Sequence, residues 1–291
     1  MANSVYTFIM SMILYSTPLL FAALGVLIME VTGTVNMAAE GIMAVGCYVA
    51  VVASAHFGNV WMGALCAMLA AAVIGLLFGF LVIDLQINQT VLGIAFNLIG
   101  AGLTTTLNRA FKTDAITVRD SFAKGPFGLP IPVYIGFILV AVMWVFLYKT
   151  HTGVRYRSVG ENPTVVESMG ISVRRLRYTA CLWGAVFVGF GGAFLSTGLL
   201  SKFTENMTSG RGFFALAAVT FGNYTPLGML AGVFVFGAGE TLSFRLQAGG
   251  GAFPYEAALM LPYALVIVFL CIFSRNVRDP KALGVPYKKS R

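Results

Sequence analysis

The sequence predicts an all-α, polytopic membrane protein of about eight to ten transmembrane segments, some of them short and interrupted. Three observations carry that expectation. Of the 291 residues, 58% are hydrophobic and only 10% charged, whereas a soluble domain carries about 25% charged residues. The apolar residues fall in long runs, most of them long enough to cross a bilayer core, which takes about 17–25 residues. The cations gather at the ends of those runs, chiefly in the 149–177 loop and after Ser274, which is the positive-inside pattern. The net charge of +8 therefore does not point to nucleic acid, which would need one basic face.

The first span runs from about Val5 to Met29 and is interrupted only by Pro18. It lacks a basic n-region and a small-residue cleavage site, so it reads as a span rather than a removed signal. A segment near 37–55 follows, opened by GTVNMAAEG, with Glu40 in its first turn. The third span covers about 60–83 and the fourth about 90–107, joined by a short polar link from Asp84 to Gln89. A polar loop, 108–131, separates these from a fifth span at 132–148. The sixth is 179–200. Residues 212–222, opened by SGRGFF, are too few to cross alone. Two more spans lie near 227–246 and 256–274, and a basic tail, 275–291, ends the sequence.

Parity sets the orientation. If the basic 149–177 loop and the tail both face the cytoplasm, four segments between them satisfy an even count of crossings. Counting back through five segments puts the N-terminus outside, in keeping with a first stretch of 29 residues that carries no charged side chain.

The whole chain reads as one permease domain, 1–291, built from halves at about 5–107 and 179–274. Asn36-Met37 corresponds to Asn206-Met207, and Phe57-Gly58-Asn59 to Phe221-Gly222-Asn223. By the parity above, the first and sixth spans run in opposite directions, so the repeat is inverted. Inverted repeats with interrupted helices suit a transporter, because two similar halves can rock about a site at mid-depth.

The loop KTHTGVRYRSVGENPTVVESMGISVRRLRY (149–178) is a polar island. Within it, Glu161-Asn162-Pro163 suits a helix start with proline at its first position, and Gly170 sits where a short helix would end. Val165, Val166 and Met169 fall at spacings of three and four, one apolar stripe on a helix outside the membrane. Either the lipid headgroup layer or a soluble partner has to cover that stripe.

At these motifs a family resemblance enters. VNMAAEGIMAVG, VGENPTVVESMGISVRR, GFGGAFLS, SGRGFFALAAVTFGNYTPLG and LPYALVIVFL…DPKALGVPY resemble the membrane permease of an ABC importer. The likeness is to the branched-chain amino acid and simple-sugar permease superfamily, in the branch that carries nucleosides. Asn36, Glu40 and Gly41, and the ending Pro280 to Tyr287, are the elements most like that branch. The resemblance implies that 161–172, with Glu161, Asn162, Pro163, Val166, Met169 and Gly170, is the coupling helix that docks on a cytoplasmic ATPase. It also implies a second homologous permease subunit, an extracytoplasmic binding lipoprotein and residence in the cytoplasmic membrane of a bacterium. The chain has no Gly-x-x-x-x-Gly-Lys-Ser/Thr of its own, so the partner hydrolyses the ATP. No cofactor is expected on this chain, and its only other partners are membrane lipids.

Polar side chains inside apolar spans are costly and tend to be functional. Asn36, Glu40, Asn97, Asn206, Arg211 and Glu240 are the expected substrate-pathway residues, with Phe213 and Phe214 as candidates to stack on a base. Each has a plainer reading as an interhelical bond or core side chain. Glu40 and Glu240 also suit a carboxylate pair of an ion-coupled secondary transporter, and simple sugars or branched-chain amino acids are alternative substrates. Cys47, Cys66, Cys181 and Cys271 lie in apolar runs without metal or redox spacing, and His56 and His151 lie far apart. Neither a metal site nor catalytic residues are expected.

Overall fold

In a computed structural model the described residues are 2–248, 254–273 and 277–287. They form helices α1 (Ala2–Glu30), α2 (Ala39–Phe57), α3 (Val60–Gly79), α4 (Gln89–Phe111), α5 (Ile131–Lys149), α6 (His151–Glu161) and α7 (Pro163–Ser168). After these come α8 (Val173–Ala193), α9 (Arg211–Phe221), α10 (Pro226–Ala248) and α11 (Tyr255–Phe273). Wider π-helical turns extend α3 through Phe80–Asp84 and α8 through Phe194–Leu200. Seven helices among the described residues are long and apolar enough to cross a membrane, and Arg211–Phe221 and Ala257–Val268 are shorter apolar helices. The all-α polytopic class and the expected spans are thus as the apolar run lengths require. The tail expected at 275–291 is described only over 277–287.

Helix α1 is the axis. From Leu19 to Met29 its side chains are almost wholly buried, and it packs on α5, α8, α9 and α10. Helices α2, α3 and α8 pack on one another, and α8 joins this layer to α1. Small residues let the backbones meet. A Cβ on Gly25 would stand 2.3 Å from the Gly184 carbonyl of α8, and one on Gly100 would stand 2.7 Å from Gly41 Cα. In lipid, where apolar burial alone gives no drive to associate, such close contact supplies much of the attraction between helices.

The two ends of the bundle differ. At one, the 112–130 loop folds back as a lid: Asp120 accepts from Val60 N (3.0 Å), Val118 N donates to the Ser201 carbonyl (2.8 Å), and Phe122 meets Trp61 edge to face. At the other lie 31–38, 84–88, 149–177, 222–225 and 277–287. Arg174 there holds Asp84 in a two-pronged contact at 2.8 and 2.9 Å.

The polar loop holds more helix than its sequence predicts. Thr150 Oγ1 accepts from Gly153 N (3.0 Å) and starts α6, eleven residues long. Gly153 and Gly160 weaken the helix signal there, yet both are needed for packing. Gly153 lies against the Phe146 carbonyl and Gly160 against that of Val31.

Candidate functional site

Helices α2 and α9 both begin inside the bundle, with their N-terminal ends facing. The start of α2 lies beside Gly93 and Asn97 of α4, so it begins about 6–12 Å into that helix at 1.5 Å per residue. Residues 31–38 reach this depth without helix from one end, and 201–210 do so from the other. Asn206 and Ser209 take left-handed backbone (φ 57° and 46°), as does Gly210 (φ 81°).

Glu40 closes the joint. One carboxylate oxygen accepts from Gly210 N at 2.8 Å and the other from Gly212 N at 2.6 Å. The unsatisfied amides of a helix start attract negative charge, so the carboxylate belongs to the N-terminus of α9 although it is carried on α2. Gly212 makes this approach feasible, because a Cβ there would fall 2.3 Å from Glu40 N.

Asn97 does the same work from α4. Its Oδ1 accepts from Gly41 N (2.8 Å) and its Nδ2 donates to the Met37 carbonyl (2.7 Å). Gln89, on the first turn of α4, accepts from Val35 N (2.7 Å). Asn36 is fully buried, and neither side-chain amide atom has a hydrogen-bond partner among the described residues.

A cavity of about 80 Å³ lies at this joint, lined by Glu40, Asn97, Thr104, Thr105, Phe203 and Asn206 among others. The structure thus brings three expected residues together around one space. Two of them, Glu40 and Asn97, spend their hydrogen-bonding atoms on backbone and brace the cavity. The others are placed differently. Arg211 is ion-paired with Glu240 of α10, and its Nη1 donates to the Met207 and Thr208 carbonyls at 3.1 and 3.2 Å. Phe214 stacks on Phe236 and Tyr263 (4.4 and 5.1 Å between centroids), and Phe213 is exposed. Neither phenylalanine lines the cavity. Phe203 is the ring that does, held edge-on by Tyr48 at 5.4 Å. Phe203, Thr104 and Thr105 carry no sequence signal beyond their position: three residues before Asn206, and about two turns beyond Asn97. Glu40 and Glu240 each have their own donors, so they do not form the shared carboxylate pair of an ion-coupled site.

Outside the bundle, α7 is built as the motif predicts. Asn162 Oδ1 accepts from Val165 N (3.2 Å), Pro163 takes the first position, and Gly170 ends the helix at φ 81°. The apolar stripe is divided, however. Val166 is 3% exposed and packs with Val159 and Val173 of its own chain, whereas Val165 and Met169 are 45% and 71% exposed. Val166 is therefore not available to a partner. The outward apolar pair is Val165 and Met169, with Glu161 and Asn162 exposed beside it.

The family described as branched-chain amino acid transport system / permease component matches residues 8–270. The guanosine ABC transporter permease protein NupQ of Bacillus subtilis (strain 168) is 34% identical, over 96% of this chain and 95% of its own. The nucleoside ABC transporter permease protein NupC of Lactococcus lactis subsp. cremoris (strain MG1363) is 30% identical, over 99% of each. A putative glucose ABC transporter permease protein, TsgC13 of Haloferax volcanii, is 34% identical over 80% of this chain and 75% of its own. No solved structure matches. With nearly every apolar helix inside the matched region, and relatives aligned end to end, this chain belongs to the family of branched-chain amino acid transport system permease components.

Proposed function

We propose that this chain is the membrane-spanning permease subunit of an ABC importer for nucleosides, working by alternating access about the joint between α2 and α9. The observation that carries this reading is end-to-end similarity to two permeases named for guanosine and for nucleosides. The arrangement of the joint supports it. Helices α2 and α9 start face to face, each after an Asn-Met pair, and each ends at a Phe-Gly-Asn. This fits two inverted halves, 5–107 and 179–274, that rock about mid-depth. Asn206, Thr105 and Phe203 at the cavity suit a solute with hydroxyls and a ring, while Arg211 and Glu240 hold its wall. ATP is hydrolysed by a separate cytoplasmic ATPase, a second homologous permease completes the pathway, and an extracytoplasmic lipoprotein delivers the solute.

The likeness to the putative glucose permease favours a second reading, a sugar substrate. Uptake of labelled guanosine and uridine, in cells with and without the gene, separates the two. Nucleoside uptake should be lost on deletion, and excess glucose should compete poorly. Unchanged nucleoside uptake with lost glucose uptake would assign the sugar.

The end that carries 149–177 and 277–287 is cytoplasmic in this reading, and the N-terminus is outside. In a cysteine-free background, a cysteine at Glu161 should react with an impermeant thiol reagent only in inside-out vesicles, and one at Ser121 only in intact cells. Labelling of both from one side would refute the orientation.

Helix α7 is the docking element for the ATPase, through Val165, Met169, Glu161 and Asn162. An unpaired charge buried in an interface costs about 3–5 kcal/mol, more than a hundredfold in affinity. Val165→Asp and Met169→Asp should therefore insert normally but lose the ATPase on purification. Val166→Asp should instead damage the chain's own small core and lower permease levels. If the Val165 and Met169 variants retain the ATPase, α7 is not the docking element.

A further inference from the structure

The tail is bonded to much of the end that carries α7. Tyr224 donates to Asp279 (2.8 Å), Arg278 N to Asn223 Oδ1 (2.8 Å), Ala282 N to the Gly160 carbonyl (2.8 Å) and Gly284 N to the Gly33 carbonyl (3.0 Å). The Tyr224 phenol is pushed up by burial and by the Glu30 and Asp279 carboxylates, so it stays protonated. At its far end Tyr287 donates to Glu167 of α7. That phenol is pushed up to about 12, chiefly by its bond to the carboxylate, and remains a donor across the physiological range.

Arg177 joins this tail to the segment that leads into the site. It is 2% exposed, and its Nε donates to the Thr32 carbonyl (3.2 Å) and its Nη1 to the Val285 carbonyl (3.3 Å). The Thr32 carbonyl lies just past the C-terminus of α1, where a helix carries partial negative charge. This gives a cation reason to sit there without a carboxylate. Gly33, at φ 84°, fits because a Cβ would stand 2.8 Å from the Ala282 carbonyl and 3.0 Å from Arg177 Nη2. Seven residues on from Gly33 is Glu40, and the bonds of Val35 to Gln89 and Met37 to Asn97 hold the stretch between.

Beside α7 the packing is open. A hollow of about 230 Å³ lies between α7, the start of α8 and the end of α3, bordered by Asp84, Gln86, Glu167, Arg174, Arg177 and Tyr287. Val166 belongs to a small apolar cluster separate from the main core. A short helix over a hollow moves more freely than one set in a core, and its motion reaches the bundle through discrete links.

We propose that residues 277–287 are a strap that carries displacement of α7 to the start of α2, with Arg177 as the positioning residue where strap and site segment meet. The proposal rests on the reading of α7 as the ATPase-docking helix. The path is Glu167 to Tyr287, Val285 to Arg177 and Thr32, Gly284 to Gly33, and then residues 33–40 to the Glu40 carboxylate at the start of α9. Loss of one link should leave docking intact and weaken the coupling, whose usual size is about fivefold or more.

The test uses the full assembly of both permeases, ATPase and binding protein in lipid, with guanosine as the probe. Tyr287→Phe removes one hydroxyl, and Arg177→Lys keeps the charge but cannot reach two carbonyls as the planar fork does. In both, the ATPase should be retained and basal ATP hydrolysis unchanged, while the guanosine-stimulated rise per assembled complex falls by about fivefold. A merely structural role would lower the amount of complex and leave stimulation per complex unaltered. Full stimulation in Tyr287→Phe complexes would overturn the strap even if Arg177→Lys assembles poorly. Retention of the ATPase by Val165→Asp and Met169→Asp would instead remove the α7 reading, and the strap with it.

Discussion

Gly212→Ala should reduce guanosine uptake by about tenfold or more per inserted permease, although it adds a single methyl group. The added carbon would fall 2.3 Å from the Glu40 amide nitrogen and 2.5 Å from its Cα. Both neighbours are backbone, so no side chain can turn aside, and the starts of α2 and α9 must separate. Overpacking of this kind costs about 1–3 kcal/mol. Separation also lengthens the bonds from Gly210 and Gly212 to the Glu40 carboxylate, each worth about 1.5–3 kcal/mol as a charged hydrogen bond. Glu40→Ala, which removes the acceptor instead, should give a similar loss, and Glu40→Gln a smaller one. Gly102→Ala is the control, because a Cβ there meets nothing within 4 Å in this chain. Wild-type uptake in Gly212→Ala membranes would show that the joint tolerates separation and does not govern the pathway.

The second large effect concerns the Arg211–Glu240 pair, whose side chains are 13% and 8% exposed. Glu240→Leu leaves a guanidinium buried without its carboxylate, and Arg211→Met leaves the reverse. Breaking a buried pair from one side costs about 3–5 kcal/mol, whereas replacing both partners with apolar residues is often nearly neutral. Each single variant should therefore lower the amount of folded permease by an order of magnitude or more, and the double variant should restore it. Transport by the double variant should stay low. Arg211 also holds the Met207 and Thr208 carbonyls, and both residues line the cavity. Quantitative blotting of membranes beside uptake per inserted permease separates these outcomes. Double-variant levels no better than the singles would mean that the pair is not the reason the singles fail.

Much of this architecture can be read from one strand of text, because the properties concerned are local. Crossing a bilayer needs a fixed length of apolar chain, so the expected spans lie within a few residues of the observed ones. Asn162, Pro163 and Gly170 mark the ends of α7 through bonds and backbone angles within a single turn. What failed was the choice of face. Val165 and Val166 are neighbours in sequence but about 100° apart around a helix, and the turn of Val166 inward depends on Val159, Val173 and Tyr287. The 150–161 stretch reads as loop because its glycines depress helix propensity, yet those glycines serve contacts with Phe146 and Val31.

Polar residues at depth could be picked out as consequential from the cost of burying them, but their roles belong to the folded molecule. Glu40 finds its donors about 170 residues away, and Asn97 braces backbone 56 and 60 residues distant. Arg177 was one cation of six in a basic loop until folding buried it between Thr32 and Val285. Span length, capping and charge distribution depend on neighbours along the chain, so the sequence alone settles the membrane class, the order of the apolar helices and the bounds of α7. Which side chain meets which backbone depends on how the described helices pack, and only that packing turns Glu40, Asn97 and Arg177 into the joints of one cavity and its strap.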